Sequence, residues 1–145
     1  MADVTTRWHG GWFWFFGPDG GRSLDPEDCG KWMWFFRDQA AALDVCLRAV
    51  REGACVECKC SALFAVGRPT GVACFYVNGS DVEGHRRVLS FLTRHGLVPR
   101  TPSGGYEDVP FKYDWQTRAG EYGDGFVPKL TLSDFMDPQT GDFLP

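Results

Sequence analysis

At 145 residues the chain is long enough to bury a core of one domain and too short for two, so a single domain over residues 1–145 is expected. With 43% hydrophobic and 23% charged residues, and no apolar run near the ~20 residues a spanning helix needs, it reads neither as a disordered tail nor as a membrane protein. A net charge of -4 excludes a duplex-DNA binder that relies on a broad basic surface.

Taken in chain order, Trp12 to Phe16 reads as a compact aromatic strand, followed by a turn-rich stretch from Gly17 to Gly21. Lys31 to Phe36 is a second aromatic strand. A helix follows from an Asp38 N-cap to about Glu52, with Ala40, Leu43, Leu47 and Val50 forming its apolar stripe and Gly53 its stop. Cys55 to Val66 reads as one longer, bent strand, and Gly71 to Asn78 as a β-branched and aromatic one. A second helix runs from Asp81 to His95, with Val82, Leu89 and Leu92 on one side, and Gly96 and Leu97 closing it. After a turn at Thr101 to Gly105, short strands are predicted at Phe111 to Asp114 and Phe126 to Leu132, separated by turns over Ala119 to Gly125. The tail from residue 123 is rich in Asp, Gly and Pro and reads as surface loops. The order strand, strand, helix, strand, strand, helix favours an α+β fold, an antiparallel sheet with two main helices on one face. A doubly wound parallel sheet would need strict strand–helix alternation, and no Gly-x-Gly-x-x-Gly opens either helix.

Three groups of residues carry candidate chemistry. The first is the thiols. No apolar leader is visible at the N-terminus, so the six cysteines are expected reduced in a cytoplasmic protein. Cys55-Val-Glu-Cys58-Lys-Cys60 is half a zinc site, but no second Cys-x-x-Cys and no His-x-x-x-His completes it. Alternation puts Val56, Cys58 and Cys60 on one sheet face as small core residues, and Glu57 and Lys59 on the other; no metal and no cofactor are expected. The second group is the tryptophans. Trp12 and Trp14 share a face, as do Trp32 and Trp34; most should be core or cross-strand pairs, and a spare indole offers a stacking platform for a base.

The third group is the cations at strand positions: Lys31, Lys59 and Lys112, with Arg68 and Arg118 close by in the chain and Tyr76 within a strand. A single lysine usually belongs on a solvated edge, but lysine is depleted in sheet interiors, and several together point to a shared pocket for an anion. Phosphate is the natural match for Lys and Arg donors. Trp32 and Trp34 alternate to the side opposite Lys31, which leaves Trp115 as the better stacking partner in such a pocket. The histidines have no metal spacing and no nucleophile beside them.

Gly30-Lys31-Trp32-Met33, the helix after it, Glu57-Cys-Lys59-Cys-Ser61, Val72-Ala-Cys-Phe-Tyr76-Val, Phe111-Lys112-Tyr-Asp114 and Gly120-Glu-Tyr122 together resemble the basophilic-leukaemia-expressed protein family, in order, over about residues 30–122. The resemblance implies the fold of cap-binding translation initiation factors, a curved antiparallel sheet with helices on its convex side. It also implies a likeness to the phosphothreonine lyases. In those, a lysine base removes an α-proton, a histidine protonates the departing phosphate, and Arg, Lys and Tyr hold the charges. Lys31, Lys59, Arg68, Tyr76 and Asp81 fill matching places, whereas Met33 stands where that histidine is expected.

The expectation is therefore a domain that binds a phosphorylated small molecule or phosphopeptide, such as a nucleotide, through Lys31, Lys59, Arg68, Tyr76, Lys112, Trp115 and Arg118. The alternatives are a lyase with Lys59 or Lys31 as catalytic base and His85 or His9 as a displaced acid, and an interaction module whose aromatic surface grips a protein partner.

Overall fold

Side-chain alternation divides this molecule into a covered face and an open one. The computed structural model describes residues 3–18 and 23–145. Its strands are β1 (Thr5–His9), β2 (Trp12–Phe16), β3 (Cys29–Phe36), β4 (Glu57–Ser61), β5 (Gly71–Asn78), β6 (Pro110–Tyr113) and β7 (Leu130–Thr131). Its helices are α1 (Gln39–Arg51), α2 (Leu63–Val66), α3 (Val82–Arg94) and α4 (Asp114–Arg118). The strands form one curved antiparallel sheet in the order β1-β2-β4-β5-β3-β6-β7, with α1 and α3 packed on its convex side.

One row across five strands shows why the covered face holds. Phe15 lies opposite Cys58, Cys58 opposite Phe75, Phe75 opposite Trp32, and Trp32 opposite Phe111. All five are buried, and Ala42, Cys46, Ala49 and Val50 of α1 and Val88, Leu89, Phe91 and Leu92 of α3 close over the sheet. Both long helices start as predicted: Asp38 accepts a hydrogen bond from the Ala41 amide and Asp81 one from the Gly84 amide. Both stop at a glycine in the left-handed region, Gly53 at φ 77° and Gly96 at φ 69°.

Five expectations need correction. Cys55 to Val66 is not a single strand: β4 ends at Ser61 and the chain turns into α2. Gln39 of α1 holds that break, donating to the Ser61 carbonyl at 3.1 Å and accepting from the Leu63 amide at 2.7 Å. Strand β1 was not expected, because none of Thr5–His9 is buried and no apolar face marks it. The signal lay in Gly10-Gly11, with φ 60° and 85°, a pair that suits a tight hairpin turn. The strand predicted over Phe126 to Leu132 shrinks to Leu130–Thr131, and Asp114 opens α4 rather than ending a strand. The tail is more than surface loop, since Leu132, Phe135 and Met136 are buried and Phe135 lies edge-on to Trp32. The turn-rich stretch from Gly17 runs out of the described residues after Pro18. No helix among the described residues is long and apolar enough to cross a membrane.

Candidate functional site

The face left open by α1 and α3 carries the lysines. Register places Trp14 opposite Lys59, Lys59 opposite Cys74, and Cys74 opposite Met33. One step along the strands, Tyr76 lies opposite Lys31 and Lys31 opposite Lys112. Cross-strand partners point to the same side, so these side chains form two adjoining rows.

Lys59 is half-buried in a box of rings. Its Nζ lies 3.9 Å from the Trp12 ring centre, 4.6 Å from that of Trp14 and 6.0 Å from that of Tyr76. Trp14 in turn stacks between Phe16 and Tyr76. The rings attract the ammonium through their negative faces but cannot neutralise it. Among the described residues Lys59 makes no ion pair. Burial lowers its pKa below the usual lysine value, and the charge of Lys31 adds to this against the opposing pull of Cys74, Asp114 and Glu57. The Nε1 of Trp14 is a buried donor with no acceptor among the described residues.

The other two lysines are occupied differently. Lys31 donates to Asp114 Oδ1 at 2.8 Å and to Thr117 Oγ1 at 2.9 Å, so α4 serves as its counterion bracket. Lys112 lies under Tyr122, 4.1 Å from its ring centre, with Phe126 at 5.3 Å. Burial lowers its pKa, and neighbouring Lys31 lowers it further. Around them, burial pushes the Cys74 thiol up to about 11 and keeps the Tyr76 phenol protonated well past its ordinary range. Burial and then Asp114 raise Cys29 to about 11; its thiol points at Asp114 Oδ2. Glu57 is raised by burial and then by Asp114.

Two clefts flank the box. One, of about 430 Å³, is lined by Trp12, Phe35, Ser61, Val72 and Arg68. The other, of about 230 Å³, is lined by Trp14, Cys29, Glu57, Tyr76, Asp114 and Arg118. Arg68 is exposed and makes no ion pair among the described residues, whereas Arg118 donates to the Pro26 carbonyl. Hence Lys31, Lys59, Tyr76 and Lys112 do share one face, and Arg68 and Arg118 rim it from separate clefts. Trp115 does not join them. It stacks on Tyr113, whose alternation with Lys112 puts it on the opposite side of β6. The indoles that face the lysines are Trp12 and Trp14, which the sequence alone leaves as core pairs. Their signal is the β2–β4 pairing, a neighbour relation between strands that are not consecutive.

The displaced acid is also settled in part. His85 is fully buried on the covered face. Its Nδ1 accepts from Trp32 Nε1 at 3.0 Å, because an indole nitrogen can only donate, so Nε2 carries the proton and donates to the Gly79 carbonyl at 2.9 Å. Both nitrogens are thus used on the far side of the sheet from Lys59, and His85 cannot serve as acid there. His9 is exposed on edge strand β1, opposite Trp12. Burial holds the His85 pKa below its ordinary value of 6.5. The folded state therefore resists a proton that the unfolded state accepts. Stability is fully present above about pH 6.5 and is lost as pH falls toward the folded-state value. Denaturant curves at about pH 7.5 and 5.5 should show a larger acid loss for the wild type than for His85→Gln; equal losses would refute this origin of the slope.

Among the described residues no cluster of three His, Cys, Asp or Glu is placed to hold a metal ion. The six cysteines are free and buried; Cys58 Sγ donates to the Cys46 carbonyl at 3.3 Å, inside the core between β4 and α1. No protein-family model matches the chain, and no curated protein matches it significantly.

Proposed function

We propose that the open sheet face binds a phosphorylated ligand, anchored by Lys59 against Trp12 and Trp14. The observation that carries this reading is the Lys59 ammonium itself, half-buried among rings with no carboxylate bridging it among the described residues. A charge taken partly out of water without a counterion is costly, and an anion removes that cost. Trp14 Nε1 is a second donor in the same place that an anionic oxygen would satisfy. Arg68, on the other side of Trp12, supplies a further charge, while Lys31 is already neutralised by Asp114. The likeness of residues 30–122 to the basophilic-leukaemia-expressed protein family agrees, since it also groups Lys31, Lys59, Arg68 and Tyr76. Exposed Phe35 at the rim leaves room for the organic part of the ligand.

The test is thermal unfolding and tryptophan fluorescence with pyrophosphate, ATP and a phosphothreonine peptide. A ligand at about 100 times its Kd adds about 2.7 kcal/mol to stability. At least one probe should raise the melting temperature and quench fluorescence in the wild type and in Lys129→Met, whose lysine is solvent-exposed, but not in Lys59→Met. Equal responses from all three proteins, or none from any, would sink the reading.

A second reading keeps Lys59 as the base of a β-elimination, favoured by its lowered pKa. It has the weaker claim, because Met33 faces the row where an acid is needed and His85 is on the other side of the sheet. The same peptide, recovered with a dehydrated residue in place of phosphothreonine, would establish it.

A further inference from the structure

The chain has four lysines, Lys31, Lys59, Lys112 and Lys129, and their surroundings are unequal. Lys31 is fixed between Asp114 and Thr117. Lys112 is capped by Tyr122. Lys129 is exposed. Lys59 rests against two indoles that each line a cleft, one on either side of it. An amine held against apolar surface is a setting in which lysine becomes more nucleophilic. The clefts differ in charge: Glu57, Asp114 and Arg118 line one, whereas Arg68 is the charged residue lining the other. An anionic group meets two carboxylates against one guanidinium in the first and an unopposed guanidinium in the second, so the second is favoured.

We propose that Lys59 takes up an anionic aldehyde or ketone as an imine, with the anion held by Arg68 in the cleft beside Trp12. This rests on the anion-binding reading of the open face and gives it a substrate class. In the step, the neutral Nζ adds to the carbonyl carbon and the C=O π bond opens to a carbinolamine. The oxygen then departs as water with both amine hydrogens, and the C=N bond forms. No electrons are gained or lost. A planar adduct would lie along the indoles of Trp12 and Trp14, where the ammonium now sits. The lowered pKa of Lys59 supports the same chemistry, since each unit of lowering raises the neutral fraction about tenfold below the pKa.

The probe is pyridoxal 5′-phosphate at one equivalent, trapped with borohydride, with the label mapped over the four lysines. Lys59 should take most of the label and the exposed Lys129 little of it. Pyridoxal without the phosphate should lose most of that preference, and so should Arg68→Ala with the full probe. Lys59→Arg, which keeps a cation in the box, should remain folded and lose the label. Label spread evenly over Lys59 and Lys129, or concentrated on Lys31 or Lys112, would overturn the proposal. So would equal labelling of Lys59 by both aldehydes. Stabilisation by pyrophosphate through Lys59 with no trapped adduct would overturn the imine alone and leave the anion site standing. A Lys59 adduct indifferent to the phosphate, with no response to pyrophosphate, would overturn both.

Discussion

Asp114→Ala should cost about 3 kcal/mol of stability and, at the same time, tighten the binding of phosphate compounds. Breaking a buried ion pair from one side costs about 3–5 kcal/mol, because the remaining charge has lost its partner but not its burial. The Lys31 side chain is only 10% exposed and that of Asp114 28%, which places the loss at the lower end. Thr117 Oγ1 would remain as an acceptor for Lys31, but it carries no charge. The freed ammonium lies on the same face as Lys59, so an anion bound there would meet two unpaired cations instead of one. Urea titrations with and without pyrophosphate measure both effects. Pyrophosphate should recover more stability in Asp114→Ala than in the wild type, and Lys31→Met added to Asp114→Ala should recover stability without it, since an apolar side chain of similar length needs no counterion. If the double variant is as weak as the single one, the loss comes from the start of α4 and not from the stranded lysine.

Much of this fold is legible in the chain because short-range rules fix it. Asp38 and Asp81 announce helix starts, Gly53 and Gly96 announce stops, and period-two alternation sends Trp32 and Cys58 to one side and Lys31 and Lys59 to the other. What alternation cannot give is which strands are neighbours. Consecutive β2 and β3 do not pair; β2 pairs with β4, and β3 lies two strands further on. That single long-range fact turns Trp12 and Trp14 from core rings into the walls around Lys59. Asp114 escaped for a similar reason: it reads as the end of a strand, but as the first residue of α4 its carboxylate returns to Lys31. Trp115 reads as the stacking partner because Trp32 and Trp34 alternate away from Lys31, yet the turn into α4 carries it onto Tyr113. The lysines themselves were readable because a cation at a strand position is rare enough to need a reason.

Trp32→Ala should be the most damaging single change, costing about 4–5 kcal/mol or more. Trp32 is fully buried and touches His85, Phe111 and Phe135, so its removal opens a cavity where β3, β6, α3 and the tail meet. It also strands His85 Nδ1, an acceptor whose one partner is the Trp32 indole. Against a typical total of about 5–15 kcal/mol, the loss removes a large share of the domain's stability. Trp32→Phe separates the two contributions. It keeps most of the ring volume and abolishes the N–H, so its cost should lie near about 1–3 kcal/mol, the range for a buried polar group left unsatisfied. Adding His85→Leu to Trp32→Phe should then recover part of that cost, because both ends of the lost hydrogen bond become apolar, although the Gly79 carbonyl loses its donor. Denaturant midpoints of the three variants decide the matter. If Trp32→Phe is as stable as the wild type, the Trp32–His85 bond contributes nothing and the wedge between sheet and tail is held by ring packing alone.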